Sequence, residues 1–209
     1  LFSTKIQCTL AAGNLTDADL HLDTSLIRGG VAYAVSYGRV GLGIGLHVDQ
    51  LDFDAYIPQV SPRESDVTAK NSPYIRILSA FDADFDVRLD EVTANGMPVS
   101  GVILNGLWQQ DGLDIREIAI REFLGSSITF TGMLSELSLN PSIQGSFSGS
   151  AKRLGSLARV FPEINGLPQF LLGPIAAELA VQGDFEQMTM DGFVELLESQ
   201  IALKGSIVD

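Results

Sequence analysis

The sequence predicts a mainly β protein. Antiparallel meanders form a curved or sandwiched sheet with an apolar inner face, and short helices are added, the best at residues 151–161. The first observation behind this is the decapeptide Phe81-Asp-Ala-Asp-Phe-Asp-Val-Arg-Leu-Asp90, in which apolar and charged residues strictly alternate. A period of two sorts them onto opposite faces of a strand, whereas at 3.6 residues per turn the carboxylates would surround a helix axis. The second is a series of apolar runs C-terminal to it, at Val102 to Leu107, Leu113 to Ile120 and Ile128 to Met133. They are separated by Asn95-Gly96, Asp111-Gly112 and Gly125-Ser126-Ser127, which read as turns. The third is that the clearest helical spacing is confined to Leu154, Leu157, Ala158 and Phe161.

Taken in order, residues 1–57 read as a β module. Lys5 to Ala11 and Leu15 to Leu22 flank an expected turn at Ala12-Gly13-Asn14, and Val31 to Ser36 is a further strand. Gly38-Arg-Val-Gly-Leu-Gly-Ile-Gly-Leu46 is glycine-rich, but a phosphate loop needs a strand before its glycines and a helix after them. Here Val40, Leu42, Ile44 and Leu46 alternate with glycines, so this too is a strand, bare on one face and open to close approach. The alternation continues from His47 to Ile57 and stops at Pro58. Residues 58–73 contain three prolines in a polar context and read as a linker or long loop. Tyr74 to Leu78 is an entry strand or short helix to the central meander, which fills residues 74–150. Within it, Leu137 to Ser148 is expected to give two short strands around Asn140-Pro141. Residues 151–174 hold a helix of about three turns, capped by Ser148 or Ser150 and stopped by Pro162, with a second turn at Phe170-Leu-Leu172. That helix suits a plug on one end of the sheet. Residues 175–209 return to strands at Ile175 to Gln182, Met188 to Leu196 and Ile201 to Ile207. A loose repeat links Leu15-Thr-Asp-Ala-Asp-Leu20, Leu113-Asp-Ile-Arg-Glu-Ile118 and Met188-Thr-Met-Asp-Gly-Phe193, each succeeded by a turn and a partner strand.

Composition narrows the functions. Of 209 residues 45% are hydrophobic, and 26 acidic residues outnumber 13 basic ones for a net charge of −13. Such a chain repels phosphate backbones and anionic headgroups, so nucleic acid is not an expected partner. An acidic exterior does not exclude acyl chains as cargo on the apolar face. Cys8 is the sole cysteine, which rules out an intrachain disulfide and a thiolate metal cluster. His21 and His47 are the only histidines and make no zinc site by themselves. No apolar run approaches the ~18 residues that span a bilayer as a helix, and no signal peptide is visible. The chain begins at Leu1, as expected of a piece of something longer.

The sharper readings of single motifs are outweighed by plain ones. Asp82, Asp84 and Asp86 sit on one strand face about 6–7 Å apart, whereas a calcium loop needs a turn that makes its oxygens converge. A solvated acidic face is the expectation, and the same holds for Asp49, Asp52 and Asp54. His21 is expected on the polar face, and Trp108 in the core or on its rim. No serine or cysteine stands in a nucleophile elbow, no carboxylate pair is marked for acid–base work, and no cofactor or metal is expected. An esterase on a β-scaffold is therefore the weakest of three readings, and a non-enzymatic role is expected.

The run from Phe81 to Gly132 also carries a family likeness. It comprises the Asp-alternating strand, Asn95-Gly-Met-Pro-Val-Ser-Gly101, and an apolar strand ending Trp108-Gln-Gln-Asp-Gly-Leu113. Asp114-Ile-Arg-Glu-Ile118 and Phe123-Leu-Gly-Ser-Ser-Ile-Thr-Phe-Thr-Gly132 complete it. This resembles the AsmA-like proteins of Gram-negative envelopes, relatives of TamB. Leu51-Asp-Phe-Asp-Ala-Tyr56 is similar to that family's module ending, and Ala151 to Val160 to its short helix after a meander. The resemblance implies a periplasmic, β-rich protein tethered to the inner membrane by an N-terminal helix, which this stretch does not include. It implies a repeating apolar groove that conveys phospholipid and supports outer-membrane assembly, with other envelope proteins as possible partners and no catalytic motif. The residues expected to face lipid are Phe81, Phe85, Val87, Leu89, Ile118, Ile120, Ile128 and Phe130. The plain alternative is a structural or interaction β-domain in which these same residues pack a fully buried core and no lipid is carried.

Overall fold

The computed structural model describes residues 5–9, 11–22, 24–55, 81–184, 186–196 and 199–208. They form one twelve-stranded sheet whose spatial order is the sequence order. The strands are β1 (Lys5–Cys8), β2 (Ala12–Leu22), β3 (Ser25–Ser36), β4 (Arg39–Asp52), β5 (Phe81–Ala94) and β6 (Met97–Gln109). They continue as β7 (Gly112–Phe123), β8 (Ser126–Ser135), β9 (Ser142–Ala151), β10 (Ile175–Asp184), β11 (Gln187–Leu196) and β12 (Ser199–Val208). All neighbours are antiparallel except β4 and β5, which run parallel, Val40 opposite Phe81 and Val48 opposite Leu89. The expected linker at 58–73 and the entry segment Tyr74 to Leu78 lie outside the described residues. The N-terminal module, central meander and C-terminal strands are thus joined in one sheet. Substantial contacts between strands join only neighbours in this order, so of the two expected arrangements the open sheet is the one observed, not the sandwich.

Hairpin chemistry explains the tight ends. Tyr37-Gly38, Asn95-Gly96 and Leu124-Gly125 each close a two-residue loop with φ positive at both positions: 51° and 80°, 50° and 68°, 52° and 80°. That is the backbone of a type I′ turn, which matches the twist of the flanking strands. Two expected turns therefore shift by one residue, since Gly112 and Ser126 already belong to strands. The expected turn at Ala12-Gly13-Asn14 lies inside β2 instead, and Thr9 closes the β1–β2 connection by hydrogen bonds with Ala12. Between β8 and β9 the residues Leu137 to Leu139 form a turn, so Leu137 to Ser148 yields one strand and not two.

The helix expected at 151–161 is a correction. Ala151 is the last residue of β9, paired with both Ser126 and Ile175 and buried, and Ser148 and Ser150 are strand residues too. Sheet pairing claims this end of the segment before a helix can start. What remains is a 3₁₀ helix of six residues, Leu154–Arg159, then Pro162–Gly166 and Gln169–Leu172. Gly155, Pro162, Gly166 and Pro168 keep each of them short. Leu154 N–H donates to Gly173 O at 2.9 Å and closes the excursion, and the 3₁₀ turns pack chiefly on one another. The second turn expected at Phe170-Leu-Leu172 falls within the last of them.

Candidate functional site: an open apolar face

Pleat parity and register decide which side chains share a face. One cross-strand row, from β2 to β12, reads Leu15, Val31, Ile44, Phe85, Gly106, Ile115, Gly132, Gly145, Val181, Met190, Gly205. The next reads Ala18, Gly29, Leu46, Val87, Leu104, Ile118, Phe130, Phe147, Leu179, Gly192, Leu203. A third runs Leu20, Ile27, Val48, Leu89, Val102, Ile120, Ile128, Gly149, Ala177, Val194, Ile201. A fourth holds Gly13, Tyr33, Leu42, Ala83, Trp108, Leu113, Leu134, Ile143, Gly183, Met188 and Ile207. The one polar atom in all four rows' side chains besides the indole N–H is the Tyr33 hydroxyl, which donates to Thr9 O. With strands about 4.8 Å apart and alternate residues about 6.8 Å apart, the rows cover about 48 by 20 Å.

Two β-bulges keep these rows apolar. In β2, Leu15 and Leu20 have opposite parity, and an extra residue between Leu15 and Ala18, where Asp17 takes φ 53°, brings both to the same face. In β7, Ile115 and Ile118 have the same conflict, resolved by a bulge at Arg116. Two of the three repeated segments noted in the sequence are these bulges.

All eight residues expected to face lipid lie on this face. Phe81 begins β5 opposite Val40, Phe85, Val87 and Leu89 lie further along it, and Ile118, Ile120, Ile128 and Phe130 adjoin them through β6. None is fully buried, and Ile128 is exposed. Leu20, Val31, Ile201, Leu203 and Ile207 on the same face are exposed as well, and among the described residues no large side chain is fully buried. Two of the aromatic rings lie down on the sheet. The Phe85 ring covers Gly106, and that of Phe130 covers Gly132 and Gly145, where a Cβ would come within 2.9, 3.1 and 2.7 Å of the ring. The expectation limited to the central meander missed the extension onto β4 and β9–β12. There, glycine at alternate positions, as at Gly145, Gly149, Gly192 and Gly205, hid the apolar period.

Part of the far face's charge is held in ion pairs. Arg39 reaches Asp82 at 2.6 Å, Arg116 grips Asp84 with both ends at 2.8 Å, and Arg88 holds Asp86 at 3.1 Å. His47 Nε2 lies 2.8 Å from Asp90. The Arg39 and Arg116 guanidiniums hold the carboxyls of Asp82 and Asp84 below the usual carboxylate range. The Leu26 N–H does the same for Asp49, which also accepts from Gln50 N–H. Asp52 accepts from Asp54 N–H, and Asp54 pins the Asn95-Gly96 turn by accepting both its N–H groups at 2.7 and 2.8 Å. Among the described residues no group of carboxylates, histidines or cysteines converges on a metal position. His21 is exposed on this face, and Trp108 is half-buried on the apolar one. Among the described residues no serine hydroxyl bonds to either histidine. No helix among them is long and apolar enough to cross a membrane.

A cleft of about 320 Å³ also lies on the far face, between Thr129, Ser148, Glu178 and Phe193. It is shallow, and the apolar face is the larger and chemically more uniform surface. Compared with known proteins, the chain matches no family model, no curated protein and no solved structure.

Proposed function

We propose that this chain is a non-enzymatic module of the bacterial envelope that shields or conveys phospholipid acyl chains on its apolar face, supporting outer-membrane assembly or lipid homeostasis. The observation that carries the reading is the set of four apolar rows, in which Val48, Ala83 and Ile115 are buried, most other side chains are half-buried, and Leu20, Val31, Ile128, Ile201, Leu203 and Ile207 are exposed. Their footprint of about 1,000 Å² exceeds the ~300–600 Å² of the largest apolar patch on an ordinary soluble monomer. An apolar ligand laid on the exposed part of this face recovers about 25 cal/mol for each Å² of apolar surface it removes from water. A linear hydrocarbon chain suits the surface because the rows are long and their side chains carry only two polar groups, the Tyr33 hydroxyl and the Trp108 indole N–H. The far face, acidic and partly ion-paired, faces water. The resemblance of Phe81 to Gly132 to AsmA-like proteins supports the same reading and adds the periplasm, an inner-membrane tether and other envelope proteins as the setting.

The test uses Trp108, the chain's only tryptophan, as a reporter on that face. Phospholipid brominated along its acyl chain quenches tryptophan on contact, and the unbrominated lipid is the control. Saturable quenching by the brominated lipid alone is the expected result. Fluorescence unchanged by either lipid at concentrations where the folded protein is monomeric refutes the reading.

A further inference from the structure

Cations are treated in two ways in this molecule. Arg28, Arg39, Arg88, Arg116 and Lys204 each meet a carboxylate. Arg121, Lys152, Arg153 and Arg159 meet none among the described residues, and all four are exposed. These four gather at one end of the sheet. Arg121 lies two residues before the end of β7, its stem against Gly101. Lys152 N–H donates to Gly125 O in the β7–β8 turn at 2.9 Å, Arg153 precedes the first 3₁₀ turn and Arg159 ends it. From Lys152 to Pro174 there are three cations against one carboxylate, Glu163, although acids outnumber bases 26 to 13 overall. Glu122, beside Arg121, accepts from Gly125 N–H at 2.6 Å. The same excursion holds Phe161 and Leu167 in water, 52% and 38% exposed.

We propose that this tip docks on the surface of an anionic phospholipid membrane. Bare cations meet the headgroups, and Phe161 and Leu167 enter the boundary between headgroups and acyl chains, the two contacts that hold an interfacial segment on a bilayer. Nucleic acid would take the charge but offers no apolar bulk to Leu167. The net charge of −13 does not prevent docking, because at physiological salt a field decays over about 8 Å. Asp84 shares a cross-strand row with Leu107 and Asp114, and Arg121 stands seven residues beyond Asp114, about 20 Å further along β7. Ala151, Ile175 and Leu196 carry the apolar face to this same end, so docking sets that end of the face against the membrane. The inference is independent of acyl carriage, since it uses the tip and not the face.

The test measures co-sedimentation of the full chain with sealed phosphatidylcholine vesicles that contain or lack phosphatidylglycerol, at physiological salt. Binding that needs phosphatidylglycerol is expected. The double variant Arg153→Gln, Arg159→Gln weakens it about 30-fold, each cation near an anionic surface being worth about fivefold. Lys204→Gln removes an exposed cation five residues along β12, away from the tip, and changes binding by less than about twofold. In a Phe161→Trp, Trp108→Phe variant the emission shifts to the blue on phosphatidylglycerol vesicles. Ile128→Asp, on the apolar face, retains docking, so failure of acyl carriage and failure of docking are told apart. Absence of binding, equal binding to both kinds of vesicle, equal weakening by Lys204→Gln and the arginine pair, or unshifted emission overturns the proposal. So does binding to a duplex DNA oligonucleotide that the arginine pair weakens equally, which assigns the tip to nucleic acid.

Discussion

Replacing Ile128 with Asp separates a ligand-facing role from a core-packing one. Ile128 sits on the apolar face between Ile120 and Gly149 and is 41% exposed. Fully burying an isoleucine is worth about 1.5–3 kcal/mol, so the covered three-fifths of this side chain accounts for about 1–2 kcal/mol of folding stability. A sheet of this size survives that loss. An acyl chain on the face suffers differently, because a carboxylate keeps its hydration and pulls two or three methylenes away from cover. At about 0.8 kcal/mol per methylene the loss is 1.6–2.4 kcal/mol, or about 15- to 60-fold in affinity. Thr131→Asp is the matched control: it is exposed on the far face of the same strand, opposite Ser146. The assay is Trp108 quenching by acyl-brominated phospholipid, with urea midpoints measured in parallel. Equal binding by the Ile128 and Thr131 variants, both folded, refutes acyl contact at this face. Phe85 is a poorer probe, since its ring also covers Gly106 and its loss confounds stability with binding.

The geometry makes three further outcomes testable. Tyr37 is fully solvent-exposed at φ 51°, so Tyr37→Asn, making an Asn-Gly type I′ turn, is expected to raise stability by about 0.5–1 kcal/mol, read as a higher urea midpoint. A Cβ at Gly145 would lie 2.7 Å from the Phe130 ring and 2.5 Å from Thr131 O. Gly145→Ala is therefore expected to cost about 1–3 kcal/mol in chemical denaturation. Gly45→Ala meets nothing within 4 Å and is expected to be neutral. The carboxyls of Asp49, Asp82, Asp84 and Asp184 are all held below their ordinary range. Their contribution is therefore present above the unfolded value of about 3.9 and is lost as pH falls below it. Circular dichroism should show a flat stability from neutral pH to about 5 and a decline below about 4. A decline already under way between pH 6 and 7 contradicts this assignment.

The sequence exposes most where side chains alternate in full. Phe81 to Asp90 marks β5, its apolar face and its acidic face at once, because each second position carries either bulk or charge. The eight residues expected to line the apolar surface share that surface for this reason. Legibility fades where one of the two signals is missing. In β9, Ser146, Ser148 and Ser150 alternate with Gly145, Phe147 and Gly149, and the glycines carry no apolar mark even though they lie under Phe130 and beside Ile128. The bulges of β2 and β7 break the period by one residue and resemble a change of face until pairing is known. The helix expected at 151–161 fails because a local pattern of leucines cannot register that Ala151 has two strand partners. The openness of the face was not legible at all, since alternation describes which side is apolar and not whether anything lies on it.

The order of the strands also bears on how the chain reaches its native state. Every antiparallel joint links strands adjacent in sequence, and all but the β9–β10 joint, which spans the 3₁₀ excursion, run through short turns that can close on the microsecond scale of a hairpin. Growth from any hairpin then resembles a zipper, with each new strand docking on a template already made. The parallel joint of β4 with β5 is the exception: its partners, such as Val40 and Phe81, are about forty residues apart and no hairpin brings them together. The sheet is expected to assemble as two zippers, Lys5 to Asp52 and Phe81 to Val208, that meet late along this single seam. Hydrogen exchange during refolding would then show β4 and β5 amides gaining their mutual protection last. Until they do, each half carries an open edge, so the seam is where a crowded chain is most exposed to pairing with the wrong partner.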